Sequence, residues 1–125
     1  MTGGRVDKQI FQFFDSVKSP VTSAGTSDSF FNIGYSSMTL EVSGTGSIAG
    51  RVEACMNILN SDGTAKTDAQ CTWTTLGILN LTSFAMGTSF SANGVYAFAI
   101  DGLARVRVVL TSVSGSATVV GTAEV

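Results

Sequence analysis

The sequence predicts an all-β fold, an antiparallel β-sandwich of jelly-roll or immunoglobulin-like type with about seven to nine short strands. Three observations support this. In residues 94–125, side chains alternate with a period of two: Tyr96, Phe98 and Ile100 oppose Val95, Ala97 and Ala99, while Ala104, Val106, Val108 and Leu110 oppose Arg105, Arg107, Val109 and Thr111. Such alternation marks half-buried strands. Asp101-Gly102 and Ser114-Gly115 then supply turn chemistry, since glycine tolerates positive φ. Finally, turn signals recur along the chain at sandwich-like spacing, with no linker, charge block or internal repeat. The three C-terminal runs are expected to form an antiparallel meander.

The chain is expected to be one domain, 1–125, with 1–20 as either an attachment arm or the first strand. Ile10, Phe11, Phe13, Phe14 and Val17 fit a helical stripe and a bulged strand equally well. The surrounding β pattern favours the strand, and Pro20 closes it. Residues 19–29 read as a polar loop. Strands follow at 30–33 and 38–42, joined by Gly34-Tyr35, with Met38, Leu40 and Val42 on one face. The run 47–59 is the longest strand candidate and sets Val52, Ala54, Met56 and Ile58 against Arg51, Glu53, Cys55 and Asn57. Residues 71–76 pair back across Asp62-Gly63. The stretch 77–93 reads as a long surface loop or weak strand.

A chain of 125 residues buries roughly two-thirds of its extended surface, enough for a core without metals or cross-links. Its net charge is −2, the wrong balance for phosphate-backbone binding, so nucleic acid is not an expected partner. Only 13% of residues are charged, whereas Ser, Thr and Gly number 45. A hydroxyl-rich, low-charge β surface suits packing against copies of itself or a larger assembly. No apolar run has membrane-spanning length. The N-terminal segment lacks the apolar run and cleavage site of a signal peptide, so synthesis in a cytoplasm is expected. The sequon Asn80-Leu81-Thr82 then carries no weight.

Cys55 and Cys71 flank Asp62-Gly63. A hairpin centred on Gly63 would oppose them and permit a disulfide, which would contribute on the order of 3 kcal/mol. A long loop with another centre would move Cys71 off register, and cytoplasmic origin favours free thiols. Two cysteines without histidine make a poor metal site, and none is expected.

Gly44-Thr45-Gly46-Ser47-Ile48-Ala49 matches a dinucleotide-binding GxGxxA pattern. That reading requires a following helix, whereas 51–59 alternates like a strand, so a Gly-rich turn between strands fits better. No cofactor is expected. Without histidine there is no Ser/His/Asp triad and no imidazole base, and no catalytic residue stands out, so the chain is read as non-enzymatic. Arg105 and Arg107 share a strand face. They read as an anion or subunit-contact site, or as a face ion-paired with Glu53 or Glu124, the second being favoured. Trp73 reads either as a sugar-stacking platform or as packing beside Leu76, again with the second favoured.

The segments IFQFFDSV, IGYSSMTLEVSGTG, SDG followed by TWTTL, and the run 94–125 occur in this order. Together they resemble small decoration-type β-sandwich proteins of tailed bacteriophage virions. The resemblance covers most of the chain except 77–93, and it rests on strand and turn patterns. It implies a virion structural component, foremost a capsid decoration or cement protein that stabilises the head. It also implies a homo-oligomer, a trimer being one candidate, bound to the major capsid protein or other virion proteins. Residues marked for assembly contacts are Ile10, Phe11, Phe13, Phe14, Arg105 and Arg107. The alternatives are a virion-surface carbohydrate-binding module for host adhesion, with a glycan as partner, and a tail or head-fibre structural domain. The expected location is the virion.

Overall fold

A computed structural model describes residues 7–14 and 21–125. Two antiparallel sheets face each other as a sandwich. Eleven strands are present among the described residues: β1 (Lys8–Phe14), β2 (Gly25–Thr26), β3 (Phe30–Phe31), β4 (Ser37–Thr45), β5 (Ile48–Cys55), β6 (Thr74–Thr75), β7 (Ile78–Asn80), β8 (Met86–Gly87), β9 (Gly94–Ala99), β10 (Arg105–Val113) and β11 (Ser116–Glu124). The count exceeds the expected seven to nine because short two-residue strands form at the sheet margins. The first sheet runs β1-β11-β4-β9-β7-β8. The second runs β2-β10-β5-β6, with β3 also paired to β10. One short 3₁₀ turn, Asp68–Gln70, is the only helical element described.

The C-terminal runs do not form a meander. β9 pairs with β4, β10 with β5, and β11 with β4 and β1. The face assignments nonetheless hold: Tyr96, Phe98, Ile100, Val106, Val108 and Leu110 are all buried. Period-two alternation states which side chains point inward but not which sheet they point from. β9 and β10 therefore place their apolar faces toward each other across the core rather than side by side.

Two tight corners move the chain between sheets. Gly46-Ser47 joins β4 to β5, and Ser114-Gly115 joins β10 to β11. Because β4 pairs with β11 and β5 with β10, the corners lie together at one end of the sandwich. They are hydrogen-bonded to one another. Ser47 N–H donates to Ser114 Oγ at 2.7 Å, Ser114 N–H to the Ser47 carbonyl at 3.0 Å, and Ser116 N–H to Thr45 Oγ1 at 3.1 Å. A Cβ on Gly44 would collide with the Ser116 carbonyl, and one on Gly115 with the Thr45 carbonyl. Gly115 is thus required for close approach of two backbones, not for the positive φ expected of it. Gly44 and Gly46 do lie at positive φ, 145° and 73°. The GxGxxA pattern is this corner, and strand β5 follows it.

At the opposite end, Asn32 ties the β3–β4 connection to the β9–β10 connection. Its Nδ2 lies 3.0 Å from the carbonyls of Tyr35, Ile100 and Leu103, and its Oδ1 accepts from the N–H groups of Gly34 and Tyr35. One amide side chain thereby satisfies backbone groups that β pairing leaves unmet.

Aromatic clusters close the long sides. β1 is a bulged strand on β11, and the register slips between Gln12 and Phe14, so Phe13 is the extra residue. Phe13 is buried, and its ring lies 4.9 Å from Phe11, which lies 5.6 Å from Phe30 on β3. That edge-to-face chain joins the two sheets. Of the four β1 residues marked for assembly, Phe13 belongs to the core, Phe11 and Phe14 pack against it, and only Ile10 projects outward, 69% exposed. On the other side, Phe90 and Tyr96 lie 5.5 Å apart, and the Tyr96 hydroxyl donates to the Ala92 carbonyl at 2.8 Å.

The expected 47–59 strand ends at Cys55, and Met56 is 73% exposed. The chain leaves the sheet there to form the loop 56–73. The stretch 77–93 contains an edge hairpin, β7–β8, as well as irregular chain.

Val108→Ala removes two buried methyl groups from a fully enclosed position. It should cost roughly 1–3 kcal/mol in denaturant melts. Gly115→Ala should cost at least about 2 kcal/mol, because backbone rather than a flexible side chain occupies the space its methyl would need. A melt superimposable on the parent would contradict the corner geometry.

Candidate functional site: the outer face of the second sheet

The outward-facing residues of β5 and β10 form a polar strip. The register sets Arg107 opposite Glu53, Arg105 opposite Cys55 and Val109 opposite Arg51. Directly opposed side chains on one sheet face are within reach of each other. The Glu53 carboxylate consequently accepts from two guanidinium groups, Arg107 at 2.8–2.9 Å and Arg51 at 3.0 Å. Only 7% of Glu53 is exposed. Its burial opposes ionisation, but the hydrogen bonds and positive charges of Arg51 and Arg107 together outweigh that cost and hold the carboxyl below its ordinary value.

The loop 56–73 folds over this strip. Within it Asp62 Oδ1 accepts from Thr64 N–H at 3.0 Å and from the Thr64 hydroxyl, stabilising the predicted turn at Gly63. The 3₁₀ turn then presents Asp68 to Arg105 at 3.1 Å, and Ser29 donates to the same carboxylate oxygen at 2.9 Å. Trp73 Nε1–H donates to the Asp68 carbonyl at 2.8 Å. The Arg107 guanidinium stacks over the Trp73 ring, 4.0 Å from its centroid. Trp73 is therefore engaged at its polar edge and by a cation on its ring.

Both arginines singled out in the sequence thus lie in one ion-paired network, each held by a carboxylate. Glu53 is one of those acceptors. Glu124 is not; it faces Lys8 across 3.8 Å at an exposed position, where an ion pair contributes little. Asp68 had no signal in the sequence, because it reaches Arg105 through a loop that no periodicity describes. Cys55 and Cys71 are free thiols beside this network. They are not directly opposed as a hairpin centred on Gly63 requires, since Glu53 pairs with Thr75 and Ala54 with Thr74. Arg105 Nη1 stands 3.6 Å from Cys71 Sγ. Among the described residues no group of three His, Cys, Asp or Glu side chains is placed to hold a metal.

Two further features lie beside β6 and at the β7–β8 turn. An apolar cleft of about 260 Å³ is lined by Ala54, Met56, Leu76 and Leu103, with Thr72 and Thr74 at its side. The β7–β8 turn displays Leu81, Phe84 and Met86 to solvent, and Phe84 is 76% exposed. Phe84 also has φ 58°, a left-handed conformation that suits Gly or Asn and strains an aromatic residue by about 1–2 kcal/mol. Asn80 builds this turn. Its carbonyl accepts from Phe84 N–H at 2.7 Å and its side-chain oxygen from Thr82 N–H at 2.8 Å. The sequon asparagine is thus a turn-forming residue here. No sequence signal marks Phe84, since strain appears only once the backbone angles are known.

Lowering the pH should remove the contribution of Glu53. Its folded-state value lies below the unfolded reference of 4.5, so its stabilisation is present above that reference and is lost as pH falls through the folded value. Glu53→Gln should cost about 1–3 kcal/mol near neutral pH by leaving Arg51 and Arg107 without their shared anion. It should also flatten the acid limb of stability measured by denaturant melts between roughly pH 5 and pH 3. An unchanged acid limb would show that another carboxylate governs it.

No protein-family profile matches the chain, and no curated protein matches it by sequence. Two solved structures share its fold. The SPBc2 prophage-derived protein YomS superposes with a TM-score of 0.73 at 27% identity, covering 94% of this chain and 92% of that one. The PBSX exported protein XepA superposes with a TM-score of 0.74 at 18% identity, covering 93% of this chain but 37% of that one. The chain therefore spans little more than a third of XepA, and that likeness concerns the fold alone. The β-sandwich is shared with phage-derived proteins, one of them along nearly its whole length.

Proposed function

We propose that this chain is a non-enzymatic structural component of a bacteriophage particle, foremost a capsid decoration protein that acts by shape-complementary contacts. The observation that carries the reading is the near-complete fold correspondence with a prophage-derived protein of similar length. The chemistry of the chain supports it. The charged groups on the outer face of the second sheet are matched to one another rather than aimed at a vacant centre.

Phe84 supplies the mode of contact. Phe84 is an aromatic side chain both strained and exposed, with no ring stacked on it among the described residues. Strain of this kind clusters at active sites, ligand clamps and switch regions. Buried aromatic anchors dominate binding energy at protein interfaces. Leu81 and Met86 extend the same apolar tip, and Ile10 offers a second contact on edge strand β1. Self-association into a closed oligomer followed by attachment to a capsid would repeat these contacts at many sites, so modest individual affinity suffices.

Light scattering should give an oligomeric mass for the purified protein, and the protein should co-sediment saturably with undecorated heads. Phe84→Gly should weaken association or head binding by about tenfold or more. The same variant should leave the denaturant midpoint unchanged or raise it, because glycine relieves the strained φ. A monomer that ignores heads yet binds host glycans on an array would overturn this reading in favour of the carbohydrate-binding module.

A further inference from the structure

We propose that Cys55 and Cys71 are a latent disulfide, closed by a soluble disulfide oxidant, that staples the loop 56–70 onto the outer face of the second sheet. The pair stands apart from the contacts invoked for virion attachment, so its test is independent of that reading.

The geometry comes from three directions. Cys55 is the last residue of β5 and is directly opposite Arg105 on β10. The Arg105 guanidinium reaches past Cys55 to Cys71, 3.6 Å from its sulfur, so one side chain touches the surroundings of both thiols. β6 then fixes the returning chain, with Ala54 against Thr74, which holds the segment carrying Cys71 beside the end of β5. The 3₁₀ turn ends at Cys71, whose N–H donates to the Asp68 carbonyl at 3.3 Å. Asp68 is itself tied to Arg105 and Ser29. Arg105, paired with Cys55 across the ladder and bonded to the Cys71 sulfur, thus gathers both thiols at one corner of the sheet.

The two sulfurs differ in access, which sets the order of events. Cys71 is half-buried and reachable from solvent, whereas Cys55 is buried and its thiol donates to the Asn57 carbonyl at 3.3 Å. Burial, together with the neighbouring Cys71, also pushes the Cys55 thiol above its ordinary value, so alone it is a poor nucleophile toward solvent reagents. With oxidised glutathione as oxidant, the Cys71 thiolate attacks one glutathione sulfur. The glutathione S–S bond breaks and one glutathione thiolate leaves. Cys55 then loses its proton to solvent and attacks Cys71 Sγ, expelling the second glutathione thiolate. Two protein thiols are oxidised by two electrons in total, and one soluble disulfide is reduced to two thiols.

The consequence is local. Opening of the loop 56–70 requires Asp68 to leave Arg105 and its carbonyl to give up the Trp73 Nε1–H bond. A covalent link at the base of the loop removes the open states that a reduced chain can visit. Made in a reducing compartment, the chain keeps both thiols; exposed to an oxidising medium, it closes the link.

The full-length protein, incubated with oxidised glutathione, should lose both alkylatable thiols and two hydrogens by intact mass, while gaining no glutathione. Dithiothreitol should restore both. Tryptic cleavage after Lys66, inside the loop, should slow by about threefold or more on oxidation and recover on reduction. Cys55→Ser should instead trap a glutathione adduct on Cys71, and its cleavage after Lys66 should not respond to oxidant. Retention of both thiols, a persistent glutathione adduct on the parent protein, or disulfide-linked dimers would each overturn the proposal.

Discussion

The fold depends on two chain corners that occupy nearly the same space. At 44–47 and again at 113–116 the backbone leaves one sheet for the other, and the two crossings are hydrogen-bonded together. Glycine at 44 and 115 is what allows the backbones to approach, because any side chain there would meet a carbonyl oxygen. With the corners locked, β4 must pair with β11 and β5 with β10. These two central pairs set the register of the whole sandwich, and the marginal strands are added to ladders already fixed.

From that frame the outer face of the second sheet follows. The β5–β10 register brings Arg107 to Glu53 and Arg105 to Cys55. A one-residue slip would send these polar side chains into the core, so the network and the core are specified by the same pairing. Glu53 is an example of a nearly buried charge made tolerable by two opposite charges with good hydrogen-bond geometry. The loop 56–73 adds Asp68 and Trp73, so both arginines end in partnerships that a bare strand face would not have given them. The β7–β8 tip differs, with Leu81, Phe84 and Met86 exposed. There Phe84 holds a conformation that glycine would hold without strain.

Much of the core was legible in the sequence. Alternation identified Met38, Leu40, Val42, Val52, Ala54, Tyr96, Phe98, Ile100, Val106, Val108 and Leu110, and all are buried. Alternation also placed Arg105, Arg107 and Glu53 on outward faces and so made the Arg107–Glu53 pair foreseeable. It failed at 56–59, where an apolar residue in phase with the strand, Met56, continues outward because the chain leaves the ladder after Cys55. Side-chain pattern alone cannot report where hydrogen-bonding partners run out. The expected meander failed for a related reason: a two-residue Gly turn reads the same whether it folds a strand back on its neighbour or carries it to the facing sheet.

The sequence by itself determined that this protein is an all-β sandwich with little charge, no histidine and a core of alternating apolar residues, because periodicity and composition are local properties of the chain. Tertiary structure alone decided strand partnership, the meeting of Asp68 with Arg105, the placing of Cys55 and Cys71 beside Arg105 and the strain at Phe84. Each of these depends on residues distant in sequence or on backbone angles imposed by the closed ladder, and no local pattern encodes them. The physical reason is that a strand's inward face is fixed by its own alternation, whereas its neighbours are fixed by which corners can pack.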